Sequence, residues 1–288
     1  MLAWMTAMPG RSHAGPLPPL SEEGRALAER LRQHVMQLAS SERNLDLETP
    51  ARYIESQLGD AKSQYFESGG RKVRNIESSG KPYAIVVGAH YDTVPGSPGA
   101  DDNASAVAVL IELARMKLPV RFVAFANEEM PYFQTGEMGS IAWAKKGEKV
   151  RAMFSLEMLG YYRDTPGSQQ YPVPLGLFYP NRGDFIAFVG DLGARALVRK
   201  AIGSFRKNAA FPSEGVAAPG FIPGVTWSDH WSFRRHGYAA IMVTDTAFYR
   251  YPHYHLPSDT PEKLDYERMA RVTLGLAAML RELSHEDR

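Results

Sequence analysis

Hydrophobic and polar positions along the chain switch between two periods. Apolar runs over 83–90, 120–127, 151–158, 185–190 and 239–245 have the length and composition of strands buried on both faces. Between them lie segments with helical spacing. Ser21-Glu22-Glu23 opens a helix to about Leu38, with Leu27, Leu31, His34, Val35 and Leu38 on one stripe. Further helices are predicted over 49–58, 103–116, 139–146, 193–207 and 262–283, and two more strands near 62–67 and 72–77. Strands alternating with helices predict an α/β class with a mostly parallel central sheet. The stretch 208–227 holds three Pro and three Gly and predicts a loop. Residues 1–20 read as a flexible leader before a single domain over 21–288.

Composition narrows the function. A hydrophobic fraction of 44% and a charged fraction of 23% are those of an ordinary globular protein. The formal net charge is +1, so no long-range field favours nucleic acid or an acidic membrane, and no nucleic-acid partner is expected. There is no cysteine, which removes disulfides, thiolate metal ligands and a cysteine nucleophile together. Any metal must be held by nitrogen and oxygen. No apolar run reaches the length of a membrane span. Met1 to Met8 is apolar but short and has no basic residue before it, so it makes no clear signal peptide. The chain reads as soluble and, on sequence alone, cytoplasmic, with export left open.

The strand ends carry the candidate chemistry. In open α/β sheets, ligands collect at the carboxyl ends of the strands. The first long run ends in His90-Tyr91-Asp92, where Asp92 is placed to accept the second imidazole N–H and fix its tautomer. Gly99-Ala100-Asp101-Asp102-Asn103 leads into a helix. One Asp suffices for a cap, and the second, Asp102, suits a carboxylate that bridges two metals. The next run ends in Glu128-Glu129. In such a pair one carboxylate can hold metal while its neighbour moves a proton. Glu157 stands alone in an apolar strand, a costly placement without a cation or donor. His253 and His255 lie two apart, face the same way in an extended segment, and both fit a ligand role.

In order and spacing these segments resemble the Zn-dependent exopeptidases of metallopeptidase family twenty-eight, the bacterial dizinc aminopeptidase type. The motifs are His90-x-Asp92, Gly99-x-x-Asp102, Glu128-Glu129, Glu157, Ser228-Asp229-His230 and His255-x-x-x-Asp259-Thr260. The resemblance runs over roughly 83–265. It implies a three-layer α/β/α sandwich with a mixed, mostly parallel sheet. It implies two Zn2+ ions, one held by His90, Asp102 and Glu157, the other by Asp102, Glu129 and His255. Glu128 becomes the general acid/base, Asp92 the residue that orients His90, and Tyr254 a donor that polarises the scissile carbonyl. Two divalent cations bring about +4 against about −3 from three ligand carboxylates, so the centre can be buried near neutrality.

The implied activity is that of an aminopeptidase acting on a peptide or aminoacyl substrate through a metal-bridging hydroxide. Three rivals share parts of the pattern. A glutaminyl cyclase-like acyltransferase commonly uses one zinc, whereas all five ligands stand here. A non-catalytic receptor-like relative typically loses ligands. A carboxypeptidase-type relative needs an inserted domain, and the segment between Glu129 and His255 contains no clear second one. There are three departures from the family pattern: Glu157 stands where many relatives carry Asp, residues 130–140 are longer, and the two segments 160–183 and 208–227 match no family segment.

Overall fold

The computed structural model describes residues 2–78 and 85–285. Among the described residues, eight strands form one sheet: β1 (Ala61–Ser68), β2 (Arg71–Ser78), β3 (Val86–His90), β4 (Arg121–Phe125), β5 (Met153–Glu157), β6 (Ile186–Asp191), β7 (Ser213–Ala218) and β8 (Ala240–Thr244). Their order across the sheet is β1-β2-β4-β3-β5-β8-β6-β7. The pairs β3–β4, β3–β5, β5–β8 and β6–β7 are parallel, and β1–β2, β2–β4 and β6–β8 antiparallel. Tyr83 and Ala84 of the expected 83–90 strand lie outside the described residues.

Helices cover both faces. These are α1 (Leu2–Thr6), α2 (Glu22–Leu38), α3 (Glu48–Leu58), α4 (Ala106–Arg115), α5 (Gly139–Ala144), α6 (Arg195–Asn208), α7 (His230–Arg235) and α8 (Tyr266–His285). The large core lies under α2, α4, α6 and α8 and takes Val87, Phe154, Leu156, Phe188, Ile241 and Val243 from the sheet. Val86, Val123, Phe125, Met153 and Ala240 point the other way and pack with Trp143 of α5 and Phe233 of α7. The result is a three-layer α/β/α sandwich. Period-two alternation divides each strand between the layers, and the fully buried strands are the continuous apolar runs of the sequence.

The topology places the site. From β3 the chain passes through α4 to β4 on one side, then through α5 to β5 on the other. The carboxyl end of β3 is therefore a switch point, where the connections diverge and leave a crevice. His90 is its last residue.

Two elements differ from expectation. The 208–227 loop contains β7, paired in parallel with β6. Its residues, Ser-Glu-Gly-Val-Ala-Ala, are weak strand formers between prolines, so only pairing at the sheet edge decides for a strand. Residues 2–13, expected as a leader, lie along that same edge. Met5 is buried among sheet residues. Arg195 Nε donates to the Trp4 carbonyl at 2.8 Å, Arg206 Nη1 to the Pro9 carbonyl at 3.1 Å, and Ser12 Oγ accepts from the Ser213 amide at 2.8 Å.

Arg43 ties the loops beneath the switch point together. Its buried guanidinium donates to the carbonyls of Tyr91 (2.8 Å), Leu38 (3.0 Å), Pro98 (2.7 Å) and Gly99 (2.8 Å). Burial lowers its pKa to about 10 against the pull of Asp259 and Asp102, so it stays charged at neutral pH. Gly99 has φ +61, and a Cβ there would sit 2.2 Å from the Asp102 carbonyl oxygen and 2.8 Å from Arg43 Nη2. No other residue fits this turn without displacing both.

Arg43→Met keeps the apolar stem and removes every donor. Each orphaned buried acceptor costs about 1–3 kcal/mol. The variant is expected to lose about 3 kcal/mol or more, read as a lower urea midpoint at unchanged slope, and Arg43→Lys to recover only part of it. A midpoint equal to wild type would contradict this role.

Candidate metal centre

His90, Asp102, Glu129, Glu157 and His255 arrive from five separate segments and converge. His90 Nε2 lies 3.4 Å from Asp102 Oδ1 and 3.3 Å from Glu157 Oε1. His255 Nε2 lies 3.1 Å from Asp102 Oδ2 and 3.4 Å from Glu129 Oε1. The donor atoms thus fall into two triads, His90–Asp102–Glu157 and Asp102–Glu129–His255, each within 4.8 Å. Asp102 belongs to both and turns one oxygen to each. Glu128 reaches the same place, grouping with His90 and Glu129.

Each side chain is positioned by backbone that tertiary contacts hold. Asp102 sits in a tight turn, Ala100–Ser105, ahead of α4. Asp259 accepts the amides of Asp101 (2.9 Å) and Asp102 (3.1 Å) and the Tyr251 hydroxyl (2.7 Å), which joins this turn to the His255 loop. Asn103 reaches across to β5: its Nδ2 donates to the Leu156 carbonyl at 3.0 Å and its Oδ1 accepts from the Met158 amide at 2.9 Å. That pair holds Glu157 beside Asp102. Ser228 Oγ donates to Glu157 Oε2 at 2.7 Å and lies 2.7 Å from Ser155 Oγ. Glu157 therefore turns one oxygen to a hydroxyl and the other to the centre.

Asp92 acts more on backbone than on the imidazole. Its Oδ1 accepts the Glu128 amide at 3.1 Å and its Oδ2 the Glu129 amide at 2.9 Å. Its approach to His90 Nδ1 is 3.6 Å, beyond a hydrogen bond. Asn127 (φ 59), Met158 (φ 50) and His255 (φ 59) all adopt left-handed backbone. Asn tolerates this conformation; for Met and His it costs about 1–3 kcal/mol each. Asn127 directly precedes Glu128, and Met158 directly follows Glu157.

Burial and crowding shift the charges at the centre. Burial pushes the Glu128 carboxyl well above its ordinary value, the charges of Glu129 and Glu157 add to this, and His90 opposes it. Burial and the Asp102 charge raise Glu129 to about 7. Burial works against protonation of His255, yet Asp102 and Glu129 raise it to about 10. Three buried atoms at the centre have no hydrogen-bond partner: His90 Nδ1, Glu129 Oε1 and His255 Nε2. Crowded carboxylates facing imidazole nitrogens, with His255 Nε2 and Glu129 Oε1 left unpartnered, fit divalent cations held by oxygen and nitrogen.

Tyr254 precedes the last ligand and stacks on it, with ring centroids 3.7 Å apart. Burial, reinforced by Asp102 and Glu129, keeps its phenol protonated. With Glu157 it borders an apolar cleft of about 840 Å³, partly open to solvent. His253 turns aside to the Ser258 hydroxyl at 2.9 Å, outside both triads.

Sequence reasoning missed Arg43, the bridging role of Asn103 and the backbone role of Asp259. Arg43 carried no signal. Asn103 looked like a helix start, and nothing local shows that it pairs with a strand distant in sequence.

The model of Peptidase family M28 matches residues 73–280. The uncharacterized protein YfbL of Escherichia coli (strain K12) is 38% identical, covering 96% of this chain and 91% of its own. A probable leucine aminopeptidase of Trichophyton verrucosum is 27% identical, covering 80% and 68%. Among solved structures, LapB from Legionella pneumophila superimposes with a TM-score of 0.69 at 23% identity, covering 95% of this chain and 78% of that one. A Bacteroides thetaiotaomicron glutaminyl cyclase bound to N-acetylhistamine gives 0.66 at 19%, covering 92% and 99%. BSAP, a zinc aminopeptidase from Bacillus subtilis, gives 0.56 at 24%, covering 75% and 51%. The family match over most of the chain and the extent of the YfbL similarity agree with the convergent donor set: the chain belongs to peptidase family M28 and is, at family level, a zinc peptidase.

Proposed function

We propose that the chain is an aminopeptidase that binds two zinc ions and hydrolyses the first peptide bond of an unblocked substrate. The observation that carries this reading is the pair of triads sharing Asp102, with a further carboxylate, Glu128, left over beside them. When bound, zinc supplies Lewis acidity toward a carbonyl oxygen and lowers the pKa of water.

The chain's own residues do the rest. Glu128 takes a proton from the attacking water and delivers it to the leaving nitrogen. Tyr254, held protonated by burial, donates to the oxygen on which charge develops. Asp92 clamps the amides of Glu128 and Glu129, so base and ligand move as one unit. Ser228 keeps Glu157 facing inward.

A second reading is a glutaminyl cyclase-like acyltransferase. The specific observation in its favour is length, because the Bacteroides cyclase matches almost all of both chains. The two readings part on substrate: a panel of aminoacyl amides, blocked peptides and N-terminal Gln peptides separates hydrolysis from ring closure.

Three outcomes are expected. Glu128→Gln lowers kcat by about 10²–10⁴-fold while zinc content stays at the wild-type level; full activity in this variant would rule the mechanism out. Asp102→Asn, a change in both triads, lowers bound zinc more than His255→Gln does, read by elemental mass spectrometry of the dialysed proteins. Equal loss in both would contradict two sites joined at Asp102. Asp92→Asn weakens zinc binding by about 10–100-fold in competition with a chromophoric chelator.

A further inference from the structure

The cleft beside the metal centre holds a second acid at its far end. Among the described residues that line it, the carboxylates are Glu157 and Glu214. Strand register fixes their relation: Glu157 pairs with Thr244, Thr244 with Ala187, and Ala187 with Glu214. These four form one row across four adjacent strands, and all line the cleft. With about 4.8 Å per strand step, the row is roughly 14 Å long. Its floor continues into Met242 and Val189, and Phe248 and Tyr171 stand among its walls.

Glu214 keeps acceptor capacity toward this space. Its side chain is 21% exposed. Arg206, which pairs with it, divides its donors among several acceptors. Nη2 donates to the Ser213 carbonyl at 2.6 Å, Nε to Ser213 Oγ at 3.2 Å, and Nη1 to the Pro9 and Gly10 carbonyls at 3.1 and 3.3 Å. The remaining contact, Nη2 to Glu214 Oε2, is 3.4 Å, long for a charge-assisted bond. Ser12 supplies one more donor to the carboxylate. A carboxylate has about four acceptor positions, so a further donor can be received.

We propose that this cleft takes the side chain of the substrate's N-terminal residue and that Glu214 selects long side chains with an apolar stem and a hydrogen-bond donor at the tip, lysine and arginine foremost. The inference rests on the exopeptidase reading above. An extended lysine or arginine side chain spans roughly 6–7 Å from Cα to its terminal nitrogens. The rest of the gap is left to the reach of the Glu214 side chain, which lines the cleft. The methylene stem packs on Ala187 and Met242 while the tip meets the carboxylate. A leucine side chain stops short of Glu214 and, by filling the cleft, takes water from the carboxylate without returning a donor.

Norleucine has the lysine stem without its amine, so the pair isolates the tip. The test compares kcat/KM of the zinc-loaded enzyme on lysine, arginine, norleucine and leucine amides, for wild type, Glu214→Gln and Ser12→Ala. Thermal upshifts given by argininamide and norleucinamide provide a second readout. Wild type is expected to favour lysine over norleucine by about ten- to a hundredfold. Glu214→Gln brings that ratio close to one. Ser12→Ala, which loosens the contact with residues 2–13 but keeps the carboxylate, retains it. Hydrolysis with norleucine equal to or better than lysine, unchanged in Glu214→Gln, overturns the inference and leaves the exopeptidase reading standing. No hydrolysis of any amide, with a larger upshift by argininamide that Glu214→Gln abolishes, upholds recognition by Glu214 and overturns that reading. Neither hydrolysis nor a differential upshift overturns both.

Discussion

Packing carboxylates together inside a protein is unfavourable unless positive charge faces them. Asp102, Glu128, Glu129 and Glu157 are all buried at one strand-end crevice, with His90 buried among them and His255 at the rim. Their mutual repulsion and loss of water would drive the crevice open or protonate it. The fold around them can be understood as an answer to this constraint. It supplies a donor set shaped for cations and anchors each side chain from behind. Without the anchors, the acids would turn outward to solvent.

The anchors are mostly polar contacts between distant segments. Arg43 gathers carbonyls from loops on both sides of the switch point. Asn103 bonds to β5 as a strand neighbour would, and Asp259 joins the Asp102 turn to the His255 loop. Left-handed backbone at Asn127, Met158 and His255 is the local cost of aiming candidate ligands that the strands alone would misdirect. None of these residues has to touch substrate. They convert a crevice between diverging connections into a site of fixed geometry.

The same sheet that ends in ligands also floors the cleft. Because β6 and β7 run antiparallel to β8, their first residues lie level with the last residues of β5 and β8. Glu157, Thr244, Ala187 and Glu214 therefore share a row, although 57 positions separate Glu157 from Glu214 (214 − 157). The reversal of strand direction puts the metal-facing acid and the cleft-facing acid at the same height.

The fold class and the donor set were legible in the sequence because both are written in short-range signals. Continuous apolar runs marked the buried strands. His90, Asp102, the Glu128-Glu129 pair, Glu157 and His255 stood out because charged or imidazole groups at apolar strand ends demand a reason. Other features left no such trace. β7 is a weak strand former that exists through its pairing with β6, and residues 2–13 looked like a leader until packed on that edge. Arg43 and Asn103 look ordinary in sequence, since their partners are brought to them only by folding. Glu214 lay in a stretch read as loop, and its place opposite Glu157 follows from strand order and register alone. The chain by itself determined which groups are candidates for the chemistry. The tertiary structure decided how they are aimed and what space they face, because orientation is set by hydrogen bonds and strand pairings between segments far apart in sequence.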